Sequence, residues 1–204
     1  MGSIVSKISE ALISNGIIQE DDMELYQYGL ELLLSDVFIG ASMLVIGTIT
    51  GQLAGSLLFC FLFYTLRAYC GGYHCKSFEQ CCFVTIGIFT SFLVSLAFLK
   101  INVIMTAATA ICACICYKYS PVQHRNRVLS TEEMFRCRSI SRVLILISIL
   151  VYTVAIIKGL IIPYMCISCA LIATGILIIL YKMEDANYEK RMFTSNCKDD
   201  RESN

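Results

Sequence analysis

Residues 67–82 read Arg-Ala-Tyr-Cys-Gly-Gly-Tyr-His-Cys-Lys-Ser-Phe-Glu-Gln-Cys-Cys, with four cysteines, two adjacent glycines and His74, one of only two histidines in the chain. A cysteine beside a histidine offers a thiol nucleophile and the base that makes its thiolate. Ser77 and Gln80 stand three apart, as the N-cap and N3 of a capping box, so the spacing predicts a helix beginning near Phe78. Cys81 then lies in its first turn, where the helix dipole favours a thiolate, and Cys82 points about 100° away. On an unbroken helix His74 and Cys81 would share a face yet stand about 10.5 Å apart along the axis, beyond hydrogen-bond reach. A dyad requires the loop to fold back over the helix start, and Gly71-Gly72 permits such a turn. The spacing leaves two other readings open. One is a polar interfacial loop without chemistry. The other is a soft metal site of Cys70, His74, Cys75 and Cys81, although it matches no closed zinc spacing and no ligand pair recurs in the second hydrophilic loop.

The elements that must position this loop are apolar. The chain has 204 residues, 57% of them hydrophobic, with 16 basic and 16 acidic residues and a mean hydropathy of +0.70. That composition excludes a disordered chain, and zero net charge excludes a nucleic-acid binder that works by its overall field. Runs without charge cover 37–66, 80–99, 101–117, 143–157 and 159–181. A bilayer core of about 30 Å needs about 20 apolar residues per helix. The first run is about 45 Å as one helix and is expected to break within Gly47-Thr48-Ile49-Thr50-Gly51 into two spans. The run at 143–157 is short and gains length from Arg142 and Lys158 at its ends. The reading is an all-α, polytopic helical bundle of six transmembrane helices, with five as the alternative.

Ile4, Val5, Ile8, Leu12 and Ile13 place an apolar stripe on a short N-terminal amphipathic helix that Gly16 can stop. Glu20-Asp21-Asp22 suits the first turn of a second helix. No cleavable signal peptide is expected, since residues 1–31 carry Lys7 and six acidic residues with no early apolar core. Fourteen of the basic residues fall on one side of a six-span topology, against Lys100 and Lys158 on the other. This positive-inside bias puts both termini and loops 67–79 and 118–142 in the cytoplasm. The expected organisation is a single membrane domain: residues 1–31 interfacial, 32–181 the six-span core, 182–204 a cytoplasmic tail.

The twelve cysteines do not suggest a disulfide framework, because most lie in spans or cytoplasmic loops. Cys112, Cys114 and Cys116 read as small apolar fillers. Cys166 and Cys169 form a C-x-x-C inside a span, whose redox use would need a neighbour able to activate a thiolate. A thiol oxidoreductase and a noncatalytic scaffold are the alternatives of other classes. The basic residues of loop 118–142 serve topology and anionic lipid, or bind an acidic peptide tail through Arg125, Arg127, Arg136 or Arg138.

Arg67, Gly71-Gly72, His74 and a cysteine seven residues later, Cys81, together resemble the accessory gene regulator protein B (AgrB) family of Gram-positive quorum-sensing systems. Ser120-Pro121-Val122 followed by Asn126-Arg127 is similar to that family's Pro-Val and Asn-Lys-Pro stretch, with Val128 in place of the usual proline. Cys70 stands where the family often has a small residue. The resemblance implies a membrane cysteine endopeptidase that processes an AgrD-like propeptide, with His74 as general base and Cys81 as nucleophile. It implies supporting or substrate-binding roles for Arg67, Gly71, Gly72, Pro121, Asn126 and Arg127, while Glu79 is a helix-start charge that could also orient His74. It further implies self-association, as a homodimer. No cofactor, metal or nucleic-acid partner is expected; membrane lipids are.

Overall fold

The computed structural model describes residues 2–73, 78–122 and 130–202. Among these the chain forms seven α-helices and no strand: α1 (Gly2–Ser14), α2 (Met23–Ile49), α3 (Leu53–Cys70), α4 (Phe78–Phe98), α5 (Val103–Tyr119), α6 (Thr131–Lys158) and α7 (Ile161–Glu202). Five of them are long and apolar enough to cross a membrane, and α5, at 17 residues, is a shorter apolar sixth. The break expected in the first apolar run is present. α2 ends at Ile49, Gly51 takes a positive φ of 69°, and α3 starts at Leu53. Glu20–Asp22 form a 3-10 turn that feeds α2. α1 packs on α2, with Val5 and Ser9 buried, whereas Ile8 of the expected stripe stays 36% exposed.

Three helices run beyond their charge-free stretches. The run at 143–157 looks short, yet α6 has 28 residues because it begins well before its apolar part. Ser130 caps it: the Ser130 hydroxyl accepts from the Glu133 amide at 3.2 Å, and the Glu133 carboxylate accepts from the Ser130 amide at 2.9 Å. Arg136, Arg138 and Arg142 are therefore helical rather than parts of a loop reaching to 142. Likewise α3 continues to Cys70, which places Arg67 in its last turn, and α7 runs on through the expected tail to Glu202.

α7 is the centre of the bundle. Tyr164, Met165, Cys166, Ala170, Leu171 and Ile178 are fully buried on it, and α3, α4, α5 and α6 pack around it. Close approach depends on small groups. A Cβ added at Gly175 would stand 2.9 Å from that of Cys112, and the Cys166 thiol donates to the Gly55 carbonyl at 3.4 Å. Cys112 and Cys116, four apart on α5, are buried while Cys114 is exposed, in keeping with a filling role. Ten cysteines among the described residues are free thiols. Cys166 of the C-x-x-C is fully buried with its thiol engaged, which gives redox chemistry no access. An aromatic block joins α3 to α4. Phe59 stacks on Phe92 at 4.6 Å and on Phe63 at 5.6 Å, and Phe89 lies 5.9 Å from Phe59. These offset rings fix the two helices that carry Arg67 and Cys81.

Candidate functional site

α4 begins at Phe78, as the capping spacing predicts, and Cys81 sits in its first turn; Ser77 itself lies outside the described residues. Cys81 is half-buried, and the Arg67 Nη2 donates toward its sulfur at 3.9 Å. Cys82, one residue on, packs against the hydrophobic core. The two neighbouring thiols are thus separated by helix geometry, one toward a guanidinium and the other toward apolar side chains. The Cys81 sulfur thus lies at a helix N-terminus with a guanidinium beside it.

Arg67 is oriented from several sides. Its Nη2 also donates to the Tyr73 carbonyl at 3.4 Å, and its guanidinium stands 6.0 Å from the Phe63 ring. The Tyr73 carbonyl is held because its own amide donates to Leu177 of α7 at 3.1 Å. Between Arg67 and Tyr73 the chain turns sharply. Gly71 has φ 73° and Gly72 has φ 141°, both in the region that favours glycine. Space demands glycine as well. A Cβ at Gly71 would meet the Val122 carbonyl oxygen at 2.5 Å, and one at Gly72 would meet the Leu177 Cβ at 3.2 Å.

Val122 belongs to the second hydrophilic segment, which is thereby drawn into the site. Its amide donates to the Cys70 carbonyl at 3.0 Å. Ser120, buried, lies with Cys70 and Cys116 under this contact, and Pro121 between them is half-buried. The two segments singled out by their sequence are adjacent in space, one strapped to the other by a backbone hydrogen bond.

The structure thus brings together Arg67, Gly71, Gly72, Cys81 and Ser120-Pro121-Val122. Glu79 is exposed in the first turn of α4. His74, Asn126 and Arg127 lie outside the described residues, as do His124 and Arg125. Tyr73 and Leu177 were not singled out by the sequence, since their role is carried by backbone groups and has no side-chain signature. As for a metal, no three His, Cys, Asp or Glu side chains converge among the described residues. Of the four ligands considered, His74 and Cys75 are not described, Cys70 is buried with Ser120 and Cys116, and Cys81 faces a guanidinium, which repels a second cation.

Residues 5–182 match the family model for Accessory gene regulator B. The chain is similar to AgrB-like protein 2 of Clostridium perfringens (strain 13 / Type A), with 27% identity over 138 residues, covering 63% of this chain and 64% of that protein. It is also similar to an AgrB-like protein of Clostridium perfringens (strain SM101 / Type A), with 28% identity over 134 residues, covering 62% and 63%. The chain thus spans under two thirds of the length of these relatives. No solved structure matches it. The family match spans both segments of the site and all but the end of the helical core, and the chain belongs to the AgrB family.

Proposed function

We propose that this protein is a membrane cysteine endopeptidase of quorum sensing, which removes the C-terminal tail of an AgrD-like propeptide and assists closure of the remainder into a thiolactone or lactone. The observation that carries the reading is Cys81 in the first turn of α4, 3.9 Å from Arg67, while the half-buried Cys82 turns to apolar side chains at the edge of the core.

In this reading His74 accepts the Cys81 proton, and the thiolate attacks the peptide carbonyl before the tail. The Arg67 guanidinium, already directed at the sulfur, is placed to stabilise the thiolate and then the developing oxyanion. The tetrahedral intermediate expels the tail as an amine, which takes its proton from His74, and the rest of the propeptide stays on Cys81 as a thioester. A cysteine or serine of the peptide attacks that thioester, closing the ring and returning Cys81 as a thiol. The second step exchanges similar bonds when the attacker is a thiol. The first trades an amide for a thioester and is uphill, so departure of the tail pulls it forward. A cyclase must therefore hold the peptide nucleophile against the thioester and keep water out.

The basic side chains at the Cys81 end of the bundle suit an acidic tail, with Asn126 and Arg127 of the second segment as further contacts. The positive-inside bias puts this end, both termini and the site in the cytoplasm. By family analogy the protein works as a homodimer. The test is co-expression in membranes with the short precursor encoded beside this gene, with mass spectrometry of the peptide. Cys81→Ala and His74→Ala should abolish cleavage while Cys82→Ala retains it. Cleavage that survives without Cys81 would overturn the reading.

A further inference from the structure

α4 and α5 are joined by a short connection, so the end of α5 returns to the end of the bundle where α4 starts with Cys81. There Tyr117 and Tyr119 are exposed, and three cations from three helices reach their rings. The Lys118 ammonium stands 5.4 Å from the centre of the Tyr119 ring, and the Lys182 ammonium of α7 stands 4.2 Å from the same ring. The Arg142 guanidinium of α6 stands 5.2 Å from the Tyr117 ring. A ring face attracts each cation, but two ammonium groups that share one ring repel each other. Glu184 and Asp185 follow Lys182 on α7, yet Lys118, Arg142 and Lys182 form no ion pair among the described residues. The patch therefore holds three positive charges on two rings without a carboxylate paired to any of them.

The surface below the cations identifies the partner. Cys114 and Ile111 stand four and seven residues before Lys118, so they continue its face of α5, and both are exposed. Leu146 and Leu150 continue the Arg142 face of α6 in the same way and are exposed as well. In a membrane span such faces lie against acyl chains. A ligand here meets charge at its head and hydrocarbon directly beneath it. We propose that Lys118 and Lys182, sharing the Tyr119 ring and with Arg142 beside them, form a site for the phosphodiester headgroup of an anionic phospholipid. The phosphate offsets the repulsion between the two ammonium groups, and the chains run along the exposed faces of α5 and α6. An acidic peptide arriving from water would match the cations but has no use for the apolar tracks below them. The proposal stands apart from the peptidase reading, since it needs no substrate.

The experiment places the full chain in nanodiscs of mixed phosphatidylcholine and phosphatidylglycerol and counts the lipid it retains by native mass spectrometry. Wild type is expected to retain phosphatidylglycerol in preference to phosphatidylcholine. Lys118→Gln combined with Lys182→Gln should lower that retention about tenfold, and Tyr119→Leu about threefold. Lys118→Arg with Lys182→Arg keeps the charge and should stay within about twofold, as should Lys100→Gln at the opposite end of the bundle. Raising the salt should release the lipid from wild type. Inorganic phosphate should displace it no better than chloride at equal ionic strength; preferential displacement would make this a site for free phosphate and overturn the lipid reading. Displacement by a short oligoglutamate would assign the cations to an acidic peptide and overturn it too. Equal retention of the two lipids by wild type, or unchanged retention in the double Gln variant, would also overturn it. Should the double Gln variant fail to accumulate, the exposed Lys182→Gln alone carries the test: a loss of about threefold supports the site and no loss overturns it.

Discussion

At the end of the bundle where α4 passes into α5, the fully buried Tyr164 hydroxyl donates to the Asn102 carbonyl at 3.1 Å and lies 3.2 Å from the Thr106 hydroxyl. Tyr152 stacks on Tyr164 at 5.1 Å, its hydroxyl donates to Thr106 at 3.4 Å, and Ser168 donates to it at 3.3 Å. At the other end, where α3 passes into α4, a guanidinium faces a thiol at 3.9 Å and two glycines hold positive φ. The first end is closed by neutral hydroxyls that satisfy one another, with short connections at Thr50–Gln52, Leu99–Asn102 and Gly159–Leu160. The second gathers charge and sulfur, held by the Val122–Cys70 and Tyr73–Leu177 backbone bonds. Neutral networks of this kind fix helices without bringing charge into an apolar medium. Charge is costly there, and it is concentrated at the end that holds Cys81.

That contrast predicts which changes act on chemistry and which on stability alone. The largest effect is expected from the proposed nucleophile, Cys81. Cys81→Ala should lower propeptide cleavage by more than about a thousandfold with the protein still in the membrane, and Cys82→Ala by less than about threefold; mass spectrometry of the peptide with an immunoblot measures both. Next comes Gly71→Ala, which forces a Cβ against the Val122 carbonyl and a positive φ on a residue that resists it. It is expected to cost about 1–3 kcal/mol of local strain and to reduce cleavage at least about tenfold, read by cleavage rate per folded protein in detergent. Tyr164→Phe should lower stability by about 1 kcal/mol, measured by thermal unfolding, while cleavage per folded protein stays within about twofold. The smallest change is expected from Ser130→Ala, which removes a cap worth about 1 kcal/mol at most here, because the capped turn is exposed. Hydrogen exchange should show faster opening confined to the first turn of α6. If Tyr164→Phe reduced cleavage as much as Gly71→Ala does, the division between the two ends would fail.

Much of this arrangement is legible in the sequence because it depends on local rules. The break at Thr50–Gln52 follows from a run too long for one span with Gly51 at its weak point. The start of α4 follows from Ser77 and Gln80, and the different surroundings of Cys81 and Cys82 follow from 100° per residue. Other features depend on partners distant in the chain. Nothing near Gly71 announces that Val122 will stand 2.5 Å from where its Cβ would be. The Tyr73 contact with Leu177 joins backbone groups, which leave no mark in residue type. The start of α6 was within reach, since Ser130 and Glu133 are a capping box, but its first turns are charged and hydropathy alone reads them as loop. Asp36 is visible as a carboxylate near a span, yet only the packing of α2 on α3 brings its backbone carbonyl to the Tyr64 hydroxyl.

In the proposed chemistry Cys81, presented at the start of α4 beside Arg67, carries the peptide as a thioester. The most direct measurement is mass spectrometry of the Cys81-containing fragment from membranes co-expressing the precursor, before and after treatment with hydroxylamine. A peptide adduct is expected on Cys81, absent from Cys82, that hydroxylamine removes. An adduct on another residue, or cleavage continuing in Cys81→Ala, would contradict it.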